Sequence, residues 1–333
     1  MSLTIMNKVL ITGGNGFLGA NVARELYRQG YEVKLMMRRS ADVRIVDDIP
    51  CEVFYGDISK EDEVFNAVEG CHYVVHTASV TAQWGVGFKV YEQVNVKGTV
   101  HVVNACLKYG VKKLIHVSTA NTIGHGNQHK PATELNSFRV SHLGSGYISS
   151  KYIAQQYVLE QVVNKGLPAV IINPTFMIGQ YDAKPSSGQL ILHGINKRIV
   201  FYPPGGKNFV HINDVCTGIA NALVMGKNGD CYLLAAENMS YGDFFRMLNK
   251  ASGQQPIMIR IPSFVLKITG IIGTLLGVWS KTSFKLNYSS AYMLCLYNYY
   301  SGKKSERELR LRYTPVERAI GSALKWFKDN NYC

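Results

Sequence analysis

The chain has 333 residues, 47% hydrophobic and 18% charged, which excludes wholesale disorder and supplies a core for one large or two intertwined domains. The net charge is +13, and from Lys250 onward thirteen Lys and Arg stand against four Asp and Glu, with Lys281, Lys285, Lys303, Lys304, Arg307, Arg310 and Arg312 among them. This excess suits an anionic substrate, an acidic partner or a membrane surface, and equally a solvated basic face; no nucleic-acid motif accompanies it, so nucleic acid is not expected as a partner.

Taken in chain order, Lys8–Thr12 reads as a short buried strand, followed by the glycine-rich turn Gly13-Gly14-Asn15-Gly16-Phe17-Leu18-Gly19. A helix over Ala20–Gln29 ends at Gly30. Gly14-x-Gly16-x-x-Gly19 therefore sits between a strand and a helix, the context in which glycines let the backbone approach a pyrophosphate. Glu32–Met37, Cys51–Tyr55 and Tyr73–His76 read as further strands. The second strand runs into Arg38-Arg39, where a site for NAD carries an acidic residue for the ribose hydroxyls. Two guanidiniums there suit a 2′-phosphate, so NADP(H) is the expected cofactor, with NAD(H) as the alternative.

Lys89–Tyr109 has helical spacing up to Gly110, Leu114–Ser118 reads as a fifth strand, Tyr147–Asn164 as a long helix and Ala169–Asn173 as a sixth strand. Strands and helices alternating at these lengths predict an α/β chain with a parallel sheet covered on both faces. After Pro174 the alternation stops. Segments 184–188 and 202–206 read as loops, 213–226 as a helix and 230–235 as a strand, and the rest as a cap on the sheet. Phe264–Trp279 is apolar apart from Lys267 and too short for a confident membrane span; it reads as core helices, with a lid over the substrate as the alternative. Tyr288, Tyr292, Tyr297, Tyr299 and Tyr300 read as half-buried core, with a pocket lining as the alternative.

Tyr147 and Lys151 stand at i and i+4, on one helix face. An ammonium beside a phenol favours the phenolate and brings it toward proton transfer at neutral pH. Ser118 and Thr119 close the fifth strand, at the sheet edge where open α/β sheets bind ligands, and a hydroxyl there can hold a carbonyl oxygen. Seven scattered cysteines without a C-x-x-C pair suggest a reducing, cytoplasmic setting and no cysteine metal site. The nine histidines lack metal-ligand spacing, so no metal is expected. No basic region followed by an apolar run opens the chain, so no secretory signal is expected.

Together with these motifs, GDI (56–58), HTAS (76–79), NVKGT (95–99), VSTANTIG (117–124), YISSK (147–151), NPTFMIG (173–179) and FVHINDV (209–215) follow one another in an order that resembles the extended short-chain dehydrogenases/reductases over nearly the whole chain. The resemblance implies a Rossmann-type doubly wound parallel sheet with a smaller C-terminal substrate-binding domain. Residues 1–173 and about 209–236 would form the dinucleotide domain, and about 174–208 and 237–333 the substrate domain. Tyr147 would be the general acid/base, and Lys151 would lower its pKa and bind the nicotinamide ribose. Thr119 would orient the substrate, with Ser118 as the neighbouring alternative. Gly13, Gly16, Phe17, Leu18 and Gly19 would meet the cofactor, with Arg38 and Arg39 at its ribose. Asp57 would accept a bond from the adenine amine, with Ile58 beside the ring. Ala78 and Ser79 would line the cleft, Asn95 would support its loop, and Pro174 and Thr175 would lie near the nicotinamide. His211 and Asp214 look like a fold-stabilising pair rather than catalysts.

Ala120-Asn121 replaces the Asp-Glu pair typical of sugar-nucleotide dehydratases, Asn173-Pro174-Thr175 resembles the dihydroflavonol-reductase-like branch, and Arg38-Arg39 matches NADPH-using reductases. The implied activity is reduction of a small-molecule ketone or aldehyde. The alternatives are a nucleotide-sugar epimerase with tightly bound cofactor, or a non-catalytic dinucleotide-binding protein. The resemblance also suggests a homodimer joined through residues 89–109 and 147–164.

Overall fold

The computed structural model describes residues 7–82, 85–138, 145–280 and 286–333, so Lys281 and Lys285 of the basic cluster lie outside the described residues. The chain opens with β1 (Lys8–Thr12), α1 (Phe17–Arg28), β2 (Glu32–Met37), β3 (Glu52–Tyr55), α2 (Glu61–Val68) and β4 (Tyr73–His76). It continues with α3 (Phe88–Tyr91), a π-helical stretch (Glu92–Lys97), α4 (Gly98–Tyr109), β5 (Lys113–Val117), a single 3₁₀ turn (Ala120–Thr122), α5 (Gly146–Lys165) and β6 (Ala169–Pro174). Then follow β7 (Phe176–Ile178), α6 (Gln189–Gly194), β8 (Ile199–Tyr202), β9 (Gly206–His211), α7 (Ile212–Met225) and β10 (Cys231–Leu234). The last hundred residues form β11 (Glu237–Ser240), α8 (Tyr241–Ser252), β12 (Ile257–Arg260), α9 (Ser263–Ser280), α10 (Tyr288–Cys295), β13 (Tyr297–Asn298), α11 (Lys303–Glu308) and α12 (Val316–Asp329).

Seven parallel strands form the main sheet in the order β10-β6-β5-β4-β1-β2-β3. This is the doubly wound Rossmann arrangement: β1 has β2 on one side and β4 on the other, so a crevice opens at the strand ends between them. Burial on both faces explains the continuous apolar runs of the strands. One face packs against α1 and α7 through Leu26, Val22, Ile219 and Leu223; the other packs against α2, α4 and α5 through Val64, Val102 and Val158. A separate core, built on Phe209, Phe244, Phe245, Ile320 and Phe327, holds the C-terminal part together. There β11, β9, β13 and β7 make a second sheet, and β8 pairs with β12 in a third.

Three features depart from the pattern read along the chain. Helix α1 starts at Phe17 rather than Ala20, because Gly16 takes an extended conformation and caps it directly, so half of the glycine motif is already helical. The helix read over Lys89–Tyr109 contains the π stretch, whose wider turn rotates the register and buries Asn95. The described side chains of the apolar segment, 264–276, are not core: among the described residues of α9 only Leu266 and Gly270 are buried, whereas Phe264, Ile268, Ile271, Ile272 and Leu275 are exposed. Of the five tyrosines, Tyr299 and Tyr300 are buried, Tyr292 and Tyr297 half-buried and Tyr288 exposed.

His211 and Asp214 are not hydrogen-bonded to each other, as a pair would be, but bridge elements separately. His211 Nδ1 accepts the Asn213 N–H, capping α7, and its Nε2 lies 3.4 Å from Ser322 Oγ on α12. The Asp214 carboxylate accepts the backbone N–H and hydroxyl of Thr314 at 2.7 and 2.8 Å. All seven cysteines are unpaired thiols.

Candidate active site

The crevice between β1 and β4 is shaped by close backbone approach. Gly13 has φ +74°, and a Cβ there would lie 2.8 Å from Ala78 Cα. A Cβ at Gly19 would lie 2.3 Å from the Gly13 carbonyl oxygen, so only glycine lets α1 start this close to the turn. The first turn of α1 contains no acidic residue, and Gly16 offers no side-chain cap. The backbone N–H groups of Phe17, Leu18 and Gly19, at the positive end of the helix dipole, therefore suit a pyrophosphate.

Arg38 and Arg39 follow β2 directly and are exposed, and among the described residues neither is in an ion pair. Burial pushes the Asp57 carboxyl up, but bonds from the Ser59 N–H (2.8 Å) and hydroxyl (2.7 Å), with the charges of Arg38 and Lys60, bring it below its ordinary value. Ile58 packs against Gly98, and its carbonyl accepts a bond from His101 Nδ1. A phosphorylated dinucleotide fits this donor set: glycine turn and helix N-terminus for its diphosphate, two unpaired guanidiniums for a further phosphate.

Asn95 connects the far wall to the reacting groups. Its Oδ1 accepts the Val80 N–H (2.8 Å) and the Ser79 hydroxyl (3.1 Å), and its Nδ2 donates to Val80 O and to Ser150 Oγ on α5. Ser150 in turn donates to the Tyr147 carbonyl at 2.8 Å. The loop carrying Ala78 and Ser79 is thus fastened to the turn of α5 that carries Tyr147, and the Ala78 N–H adds a 3.3 Å bond to Thr12.

Burial dominates the titration of Tyr147, pushing it up to about 12, and a hydrogen bond with Thr119 partly opposes this. Thr119, not Ser118, is the hydroxyl brought to the phenol; Ser118 Oγ lies 3.5 Å from Thr122 Oγ1 instead. Lys151 is one helical turn from Tyr147 and fully buried, and its ammonium donates to the Val117 carbonyl at 2.6 Å. Burial lowers its pKa to about 8. The depression of the phenol by lysine, expected from the i, i+4 spacing, is not seen here: desolvation raises the phenol and the bond with Thr119 alone opposes it. Half-buried Tyr147 joins Phe138, Tyr292 and Met293 in packing against Ile148, the next residue on α5.

Behind these residues stand three to which sequence reading gave no role in the site, Asn173, His76 and His116. Asn173 is fully buried, and its Nδ2 lies within 3.1 Å of Thr119 O, Thr122 Oγ1 and Gln155 Oε1, holding the Thr119 turn against β6 and α5. Pro174 ends β6, and the Thr175 hydroxyl shares its proton between Asn208 Oδ1 (2.7 Å) and Leu234 O (3.1 Å), at the junction of the two larger sheets. His76 and His116, paired in register on β4 and β5, have ring centroids 5.4 Å apart. Thr99 donates to Asn95 O, so His76 Nε2 donates to Thr99 and its Nδ1 accepts from Thr12. Burial, then the charge of Lys151, keeps both rings neutral. Neither His116 nitrogen has a hydrogen-bond partner among the described residues.

The family model described as the NAD dependent epimerase/dehydratase family matches residues 9–235. A "Putative dihydroflavonol 4-reductase" of Synechocystis is 28% identical over 97% of this chain and 95% of its own length. The sterol demethylase protein B of Methylococcus capsulatus is 28% identical over 96% and 98%. The crystal structure of gox2253 superposes with a TM-score of 0.87 at 31% identity, covering 97% of this chain and 98% of that one.

Proposed function

The chain belongs to the NAD dependent epimerase/dehydratase family, within the extended short-chain dehydrogenases/reductases, and from that premise we propose that it is an NADP(H)-dependent reductase of an apolar ketone or aldehyde. The observation that carries this reading is the setting of Tyr147: a phenol held up by desolvation and bonded with Thr119, on a half-buried side chain that joins Phe138, Tyr292 and Met293 in an apolar cluster around Ile148. An apolar cluster beside the phenol favours an apolar carbonyl compound over a polar sugar.

A phenol pushed up to about 12 keeps its proton at neutral pH, which suits a general acid. When bound, the nicotinamide supplies the hydride for the carbonyl carbon. Thr119 orients the substrate oxygen, and Tyr147 gives that oxygen its proton, leaving an alcohol and a phenolate that regains its proton from solvent. Lys151, one turn along, stabilises the transient phenolate by its charge and binds the nicotinamide ribose. Gly13, Gly16, Phe17, Leu18 and Gly19 hold the diphosphate, Asp57 and Ile58 the adenine. Arg38 and Arg39 select the 2′-phosphate.

The test is nicotinamide absorbance with NADPH and a panel of aromatic, steroid-like and aliphatic carbonyls, with UDP- and dTDP-sugars alongside. NADPH is expected to be consumed with a carbonyl, and Tyr147→Phe to lower turnover by about a hundredfold or more while still binding NADPH. Replacing Arg38 and Arg39 by Ser is expected to raise KM for NADPH roughly tenfold and to leave that for NADH unchanged. Sugar isomers formed without net nicotinamide consumption would assign an epimerase instead.

A further inference from the structure

The C-terminal part presents an apolar surface that the active site does not use. In the β8–β12 pair, Ile199 stands opposite Ile257 and Phe201 opposite Ile259. All four are exposed, whereas Val200 on the other face is buried. Such cross-strand apolar pairs would normally face a core. The Ile261 N–H donates to Tyr202 O, tying the start of α9 to this pair, and Pro204, Arg260, Pro262 and Ser263 line a shallow depression between them.

Along α9, Gly270 approaches α10 at Ala291, and Gly273 approaches the Leu286 carbonyl, so this face is packed. On the opposite face Phe264, Ile268, Ile271, Ile272 and Leu275 form one stripe at helical spacing; Phe264 is 65% exposed and Leu275 64%. Sheet face and helix stripe together exceed what scattered surface apolar residues explain.

Charge identifies what covers them. Lys197 and Arg198 precede β8, Arg260 ends β12, and Lys267 lies beside the stripe; all four are exposed, and among the described residues none is in an ion pair. The sequence has no carboxylate between Asp182 and Asp214, nor any between Asp243 and Glu306, the two stretches that build this surface. A second copy seated on the same surface would set basic rim against basic rim with no acid to answer it. Among the described residues no helix is long and apolar enough to cross a membrane. We infer that β8, β12 and α9 form a monotopic docking surface for a bilayer bearing anionic headgroups, with α9 lying in the plane of the interface.

The inference is independent of the proposed reaction, and its test reads lipid binding only. The full chain is floated with phosphatidylcholine vesicles and with mixed phosphatidylcholine–phosphatidylserine vesicles. Binding is expected to the mixed vesicles, to weaken in high salt, and to be weak or absent on phosphatidylcholine alone. Two paired variants, Phe264→Ser with Leu275→Ser and Arg198→Gln with Arg260→Gln, are each expected to bind roughly tenfold or more weakly, with unchanged circular dichroism and melting. The charge pair alone decides the matter if the serine pair melts early. Failure to float with mixed vesicles, undiminished binding by the charge pair, or self-association that the serine pair abolishes in place of lipid binding would each overturn the inference.

Discussion

Lys151 shows how one residue can cost stability for the sake of a site. Its ammonium is buried and has a carbonyl, not a carboxylate, as its hydrogen-bond partner. Burial lowers its pKa from 10.5 to about 8. Between those two values the unfolded chain holds a proton that the folded protein has shed, so folding stability rises with pH across that window. Below about 8 the desolvation cost is present in full, on the order of 3 kcal/mol. Lys151→Met is therefore expected to melt higher than the parent at pH 7 while losing turnover, and the gap in Tm should narrow as pH rises from 8 toward 10.5. A variant that melts lower at pH 7 would mean that the bond to Val117 outweighs the burial. The spacing of Tyr147 and Lys151 was legible in the sequence because it is a local helical relation. The acceptor for Lys151 and the choice of Thr119 over Ser118 depend on β5 and were not.

At the scale of elements, two asparagines fasten the site. Asn95 became visible in the sequence only through a motif; its burial follows from the π turn, which a 3.6-residue period does not predict. Asn173 sits in a fully buried strand and joins β6, α5 and the turn at Ala120–Thr122 through one amide nitrogen. Asn173→Ala takes one donor from Thr119 O and from Gln155 Oε1, which keep Thr122 beside them, and opens a buried void, together expected to cost about 1–3 kcal/mol by denaturant unfolding. It should also loosen the Thr119 turn and lower kcat about tenfold with a smaller change in KM. Equal loss of stability with full kcat would show that Asn173 only supports the fold. The α9 segment was misread as core for a physical reason: composition reports that a helix is apolar, but not which neighbours are there to cover it.

At the scale of the molecule, a second exposed apolar face lies on α3 and α5, far along the chain from the α9 surface, with Phe88, Val90 and Ile153 exposed. These helices pack on one another and belong to the two segments, 89–109 and 147–164, expected to meet their counterparts in a homodimer. Light scattering should give the mass of a dimer, and Ile153→Asp should return a monomer with little loss of stability, because the side chain is already half in water. A dimer that persists in the variant would place the contact elsewhere.

The sequence by itself determined what periodicity and turn chemistry control. These are the alternating strands and helices of the parallel sheet, the glycine turn that starts α1, the arginines at the end of β2 and the Tyr–Lys pair on α5. Each is set by residues within about one or two helical turns of each other, so a linear reading reaches it. The tertiary structure decided what depends on groups distant in the chain. It put β10 beside β6, joined Asn173 to Thr119, desolvated Tyr147 and Lys151, and left the faces of β8, β12 and α9 uncovered. Burial and hydrogen-bond partnership are properties of the assembled neighbours, and no local pattern carries them.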